Sequence, residues 1–132
     1  MKSLKLIGSK FIKIEAERNL DFNDKFELKT NIKIISLEKI QNSKNSLKLS
    51  YGFDVKYGEL GKIKLIGILY LTGNSKIIKE LLKIKEKKEY NTPEFIVITN
   101  LIIEKASIKA LELEEELSLP IHIKLPKISI PK

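Results

Sequence analysis

Between Thr92 and Lys127 the chain reads TPEFIVITNLIIEKASIKALELEEELSLPIHIKLPK, and the opening of this stretch restricts the fold more than any other part. Thr92 can cap a helix, Pro93 suits its first position, and Glu94 complements the positive end of the helix dipole. Phe95, Ile96, Val97, Ile98, Leu101, Ile102 and Ile103 then fall on every side of that helix. A helix apolar all round has to be covered on more than one face. One small sheet in the same chain can cover one of them, so a second copy of the protein is the candidate cover for the other. The helix is expected to stop before Pro120, and an extended tail with prolines at 120, 126 and 131 should follow.

That small sheet is predicted from the residues ahead of the helix. Leu4, Leu6, Ile12, Ile14 and Ala16 share one parity, which argues a half-buried first strand, or two short ones broken at Gly8. From Lys25 the alternation resumes with Phe26, Leu28, Ile32 and Ile34, then moves to odd positions at Ile35 and Leu37. A parity change inside one strand signals a β-bulge. After the loop QNSKNS, the third strand is strictly alternating: Leu47, Leu49, Tyr51, Phe53, Val55 and Tyr57 against Lys48, Ser50, Gly52, Asp54 and Lys56. Gly58-Glu59-Leu60-Gly61 reads as a hairpin turn. The fourth strand carries Ile63, Leu65, Leu69 and Leu71 on one face and Ile66, Ile68 and Tyr70 on the other. An antiparallel strand apolar on both faces is expected to be covered on both.

A first helix opens at Gly73-Asn74-Ser75 with Ile77, Ile78, Leu81, Leu82 and Ile84 as its stripe, and residues 89–91 link it to the long helix. Four strands followed by two helices predict an α+β fold: a four-stranded antiparallel sheet with both helices on one face. At 132 residues the chain is expected to be a single domain over 1–132, large enough to bury about two thirds of its unfolded surface.

A net charge of +8 invites a nucleic-acid reading. Of the 25 basic residues, however, only Arg18 is arginine, and direct base readout leans on arginine. The lysines are scattered, and the Lys, Glu and Ile content matches a thermophile-like surface. The distribution is still uneven: residues 1–89 hold 20 basic and 11 acidic groups, residues 90–132 hold 5 and 6. Without cysteine there are no disulfides, thiolate metal sites or cysteine nucleophiles. No apolar signal segment opens the chain and no run reaches the about 20 residues that span a bilayer, so a cytoplasmic protein without membrane insertion is expected.

Catalytic chemistry has little to build on. A nucleophilic triad needs a base, and the single histidine, His122, lies on the proline-flanked tail between Ile121 and Ile123, where it reads as a surface or packing residue. Gly58 to Lys62 lacks the spacing of a phosphate-binding loop. No enzyme activity and no cofactor is therefore expected. Glu112, Glu114, Glu115 and Glu116 form the one acidic cluster and are candidates for docking a basic partner, at a helix end where the dipole disfavours them.

Several segments together resemble the SecB family of chaperones, and the chain looks most like an archaeal SecB-like protein. Lys10-Phe11-Ile12-Lys13-Ile14-Glu15-Ala16 is similar to the family's first-strand motif K-D-I-S-F-E, and Gly67-Ile68-Leu69-Tyr70-Leu71-Thr72-Gly73 to its G-I-F-x-I-x-G. Pro93 through Ile103 resembles the start of the long helix, and Leu119-Pro120 with Lys124-Leu125-Pro126 the segment ending in L-P-P. The resemblance implies a homotetramer, a dimer of dimers, holding unfolded or precursor polypeptides in apolar grooves without ATP. In bacteria such chaperones serve protein export by passing precursors to the motor SecA, and other members guard toxin–antitoxin pairs. Of the motif's acidic pair only Glu15 remains, with Phe11 in place of the aspartate, and this chain is basic where export members are acidic; both facts argue against docking on SecA.

Binding many unfolded chains needs apolar and aromatic surface with little sequence demand. Tyr51, Phe53, Tyr57, Ile66, Ile68 and Tyr70 are the candidate polypeptide-binding residues, with Phe26 and Leu28 as further groove candidates, and Glu15 joins the four helix glutamates as a possible docking residue. The expected partners are unfolded or nascent polypeptides and further copies of the chain, as a dimer or tetramer. A dedicated toxin–antitoxin chaperone and a basic nucleic-acid-binding module are the alternatives.

Overall fold

A computed structural model describes residues 4–22, 24–41, 45–88 and 92–123. The centre of the loop at 42–44, the link at 89–91 and the tail with Pro126 and Pro131 lie outside the described residues. Four strands come first: β1 (Lys5–Arg18), β2 (Lys29–Lys39), β3 (Ser46–Lys56) and β4 (Gly61–Thr72). Two helices follow, α1 (Ser75–Lys87) and α2 (Pro93–Leu117). All pairings are antiparallel and the sheet order is β1-β4-β3-β2, so β1 and β2 are the two edges.

The odd residues of β3 and β4 face the helices. Leu47, Leu49, Tyr51, Phe53, Val55, Ile63, Leu65, Leu69 and Leu71 join Ile77, Ile78 and Leu81 of α1 and Phe95, Ile98 and Ile102 of α2 in one buried core. The bulge expected in the second strand is present between Ile34 and Ser36. β1 is neither a single alternating strand nor two pieces. It runs unbroken through two bulges, at Ile7 and Ile12. The first slip brings Ser9 and Phe11 opposite core positions of β4, and the second returns Ile14 and Ala16 to them. The two one-residue slips add to two and so restore the parity, which is why one parity described the strand from outside.

At Gly67 the centre of β4 has to be bare. Tyr51 pairs with it from β3, and a Cβ at Gly67 would stand 2.9 Å from Tyr51 Cε1. The missing side chain lets the tyrosine ring lie across the neighbouring strand.

Helix ends are closed by identifiable groups. Asn74 caps α1, its side chain accepting from the Ile77 N–H at 2.9 Å. Thr92 occupies the cap position of α2 as expected but makes no side-chain capping bond, and its buried hydroxyl has no hydrogen-bond partner among the described residues. Ser118 ends α2 in the left-handed conformation (φ 53°), its N–H returning to the Glu114 and Glu115 carbonyls. Arg18, the sole arginine, leaves the end of β1 to donate to the Leu117 carbonyl at 3.3 Å and to that of Ser118. A cation on the last carbonyls suits the negative pole of the dipole and anchors the helix to the sheet edge.

Candidate functional site

Three surfaces and one buried cluster hold the side chains singled out above. The buried cluster is the unexpected one. Ile98, Ile102, Ala106 and Ala110 are all buried at a spacing of four, and the next residue in that series is Glu114, fully buried as well. Its carboxylate accepts from the Tyr57 hydroxyl and pairs with His122 Nδ1 at 2.9 Å. The other ring nitrogen, Nε2, lies 3.0 Å from Ser107 Oγ, and the ring stands edge-on to Phe53 at 5.7 Å. The connectivity, hydroxyl to imidazole to carboxylate, is that of a nucleophilic triad. The setting is not: the histidine side chain is 1% exposed and Ser107 5%, so no substrate can reach the hydroxyl. The cluster instead satisfies buried polar groups and pins the residues after α2 against the sheet.

His122 is thus a packing residue, one of the two roles expected of it, whereas the docking role expected of Glu114 is corrected: it already satisfies Tyr57 and His122 inside the protein. Of its neighbours, Glu112 pairs with Lys109 at 2.7 Å, and Glu115 and Glu116 are exposed. The sequence signal that marks Glu114 is its place in the four-residue series.

Burial also sets the tyrosine chemistry. Burial pushes the Tyr51 phenol up to about 12, and burial with the adjoining Glu114 carboxylate pushes Tyr57 higher still. Both hold their protons while the unfolded chain would ionise near pH 10. Raised folded values mean stability that is fully present below pH 10 and lost as pH climbs above it. Urea denaturation between pH 8 and 11 should show each phenol costing roughly 1 kcal/mol by pH 11, and Tyr51→Phe should flatten the decline.

Tyr51, Phe53 and Tyr57, expected as groove lining, lie 0–1% exposed on the helix-covered face. Their alternation marks an apolar face correctly, but the chain's own helices fill it. Phe26 and Leu28 precede β2 instead of lying in it. Phe26 is 36% exposed and meets Tyr57 edge-on at 6.1 Å; Leu28, with Ile32 and Ile34 of β2, is half-buried at the margin of the core. The helix layer thus leaves an apolar border along the β2 edge. At the other edge Ile14 is 47% exposed, and Ile96, Ile103 and Ile108 of α2 are exposed as well. The helix expected to be covered all round has its outer isoleucines open.

The third surface is the sheet face away from the helices, where Ile66, Ile68 and Tyr70 lie. Strand register lays it out in rows from β2 to β1: Lys33, Gly52, Ile66, Lys13; then Ser36, Ser50, Ile68, Lys10; then Glu38, Lys48, Tyr70, Gly8. Towards the hairpin come Asn31, Asp54, Lys64, Glu15 and finally Lys29, Lys56, Lys62, Glu17. Ile68 is 5% exposed yet outside the main core. Its neighbours shield it, for Lys10, paired with Ile68, reaches 5.7 Å from the Tyr70 ring centre and lays its stem over this face. Cover by a second layer of secondary structure, expected for this side of β4, is absent among the described residues. Glu15 lies here, 3.2 Å from Lys13, while Phe11, the departure from the acidic pair, packs against the core.

An open cleft of about 990 Å³ lies at the hairpin end, lined by Glu17, Arg18, Lys29, Lys62 and their neighbours. Its lining shares Glu17, Lys29, Lys56 and Lys62 with the hairpin end of the open sheet face. Among the described residues no cluster of potential metal ligands occurs, and no helix is long and apolar enough to cross a membrane.

Comparison with solved structures identifies the architecture. The chain superposes on the Mycobacterium tuberculosis Rv1957 SecB-like chaperone, solved in complex with a ChAD peptide from the Rv1956 HigA1 antitoxin, with a TM-score of 0.58 over 99% of this chain and 94% of that one. The fold is that of a SecB-like chaperone. Identity is 8%, so the likeness is of fold, with the same four strands ahead of two helices. No family model and no curated protein matches the sequence.

Proposed function

We propose that this chain is the subunit of an ATP-independent chaperone that self-associates and holds unfolded polypeptides against apolar surface. One observation carries the reading: among the described residues ten large hydrophobic side chains are 36–88% exposed, while the core between sheet and helices is already closed. Isolated exposed hydrophobics are ordinary, but here, Leu20 and Ile121 apart, they fall on or beside both sheet edges and on the long helix. The β1 edge with Ile14, and α2 with Ile96 and Ile103, suits further copies of the chain, as a dimer or tetramer. The β2 border, with Phe26, Leu28, Ile32 and Ile34 beside an unpaired strand edge, suits an extended client, whose backbone can add to the sheet while its side chains meet the border.

The fold-mate's bound antitoxin peptide supports a polypeptide as ligand and favours a second reading, a chaperone dedicated to one toxin–antitoxin client. Export through SecA is not part of the proposal, since Phe11 is built into the core where the motif's second acid would stand. The test is suppression of aggregation of several unrelated, chemically denatured proteins without nucleotide. Suppression of all near one equivalent supports a general holdase, suppression of none overturns the proposal, and activity confined to one genetically adjacent client selects the dedicated form.

A further inference from the structure

The sheet face away from the helices joins apolar side chains to an unbalanced charge. Its five rows between Lys29 and Tyr70 hold eight lysines against four carboxylates. In the row nearest the hairpin Lys29 stands opposite Lys56 and Lys56 opposite Lys62. Like charges directly opposite across strands are destabilising, and here Glu17, 3.9 Å from Lys62, and Glu27, 4.0 Å from Lys29, offset them in part. Between the lysines, Gly52 and Ser50 leave a shallow trough floored by small residues. Ile35 bounds it on β2, its Cδ1 3.9 Å from where a Gly52 Cβ would be, and Ile66 and Ile68 bound it on β4. Ile35 is 45% exposed and Ile66 and Tyr70 are half-buried.

We infer that this face is a second docking surface, for extended polypeptide segments that carry apolar residues between acidic ones. The inference rests on the chaperone reading and adds the chemistry of the client. Charge complementarity chooses the occupant: apolar side chains enter the trough over Gly52 and flanking carboxylates meet Lys33, Lys48 and Lys64. A polypeptide fits better than nucleic acid, because the face offers one aromatic ring and no arginine for stacking or phosphate clamping.

Fluorescence anisotropy with three twelve-residue peptides tests this, each with the same central Leu-Ile-Phe segment and with Glu, Ser or Lys flanks. The Glu-flanked peptide should bind about tenfold tighter than the Ser-flanked one in dilute buffer, the effect expected of several exposed charge pairs. The margin should shrink in 0.5 M NaCl, where screening shortens the reach of the lysines. Ile35→Glu should weaken the Glu-flanked peptide at least tenfold, and the double variant Lys33→Glu, Lys48→Glu, which leaves the apolar trough intact, should shift preference to the Lys-flanked peptide. Circular dichroism checks that both variants fold.

Equal affinity for all flanks, or binding indifferent to these variants, overturns the inference while aggregation suppression leaves the chaperone reading standing. An oligothymidylate bound as tightly as the Glu-flanked peptide assigns the face to nucleic acid instead. A fall in oligomer mass caused by Ile35→Glu shows that a second copy covers it, which also overturns the inference. If no peptide binds and no aggregation is suppressed, both readings fall together.

Discussion

Replacing Glu114 by alanine should lower the stability of the chain by roughly 1–3 kcal/mol for each of the two buried polar groups that lose their shared partner. The Tyr57 hydroxyl and His122 Nδ1 would be left inside the protein with no carboxylate to meet. Neither group has compensating exposure, and each buried polar group without a partner carries its own desolvation cost. Glu115→Ala and Glu116→Ala, on the exposed side of the same turn, should change stability by no more than about 0.5 kcal/mol. Urea denaturation of the three variants reads the contrast. Equal, small effects for all three would show that Glu114 shares the solvated role of its neighbours, and the account of the buried cluster would then be wrong.

Phe53 separates core from surface in the same way. Its ring is 1% exposed and packs against the helices and the His122 ring. Phe53→Ala should cost about 3–5 kcal/mol, the range for emptying a buried aromatic site. Phe53→Asp should not fold, since it buries a carboxylate with no partner. Ile35→Ala, across the sheet on the open face, should stay within about 0.5 kcal/mol while weakening peptide binding. Thermal melts and peptide anisotropy on the same samples read both quantities. A stable Phe53→Asp that merely loses binding would restore Phe53 to the binding surface.

These contrasts also show what the residue pattern can and cannot disclose. Order and type of the elements follow from periodicity: the third strand alternates without fault, and the shift from Ile34 to Leu37 betrays the bulge in β2. Thr92-Pro93 marks the start of α2 although the threonine side chain does not cap. What alternation cannot tell is who covers the apolar side. Tyr51, Phe53 and Tyr57 read equally well as groove or as core, and only the return of two helices over β3 decides between them. The pairing of β1 with β4, distant in sequence, is equally out of reach, and with it the two bulges at Ile7 and Ile12 that together restore the parity. Glu114 was hidden by its neighbours. Three exposed glutamates beside it suggest a solvated patch, whereas its spacing from Ala106 and Ala110 places it on the buried stripe.

Among the candidate binding residues, the structure therefore separates Ile66, Ile68 and Tyr70 on the open sheet face from Phe26 and Leu28 on the β2 border. The long helix, expected to be enclosed, keeps Ile96, Ile103 and Ile108 at its outer side. The same excess of uncovered apolar side chain is what the proposed assembly and the proposed clients would share between them.

Light scattering during size-exclusion chromatography, on the chain alone and mixed with a permanently unfolded, reduced and alkylated protein, tests that claim most directly. The account predicts a folded particle of two or four chains that carries the unfolded protein with it through the column, without nucleotide. A particle with the mass of one chain, eluting apart from the unfolded protein, would contradict it.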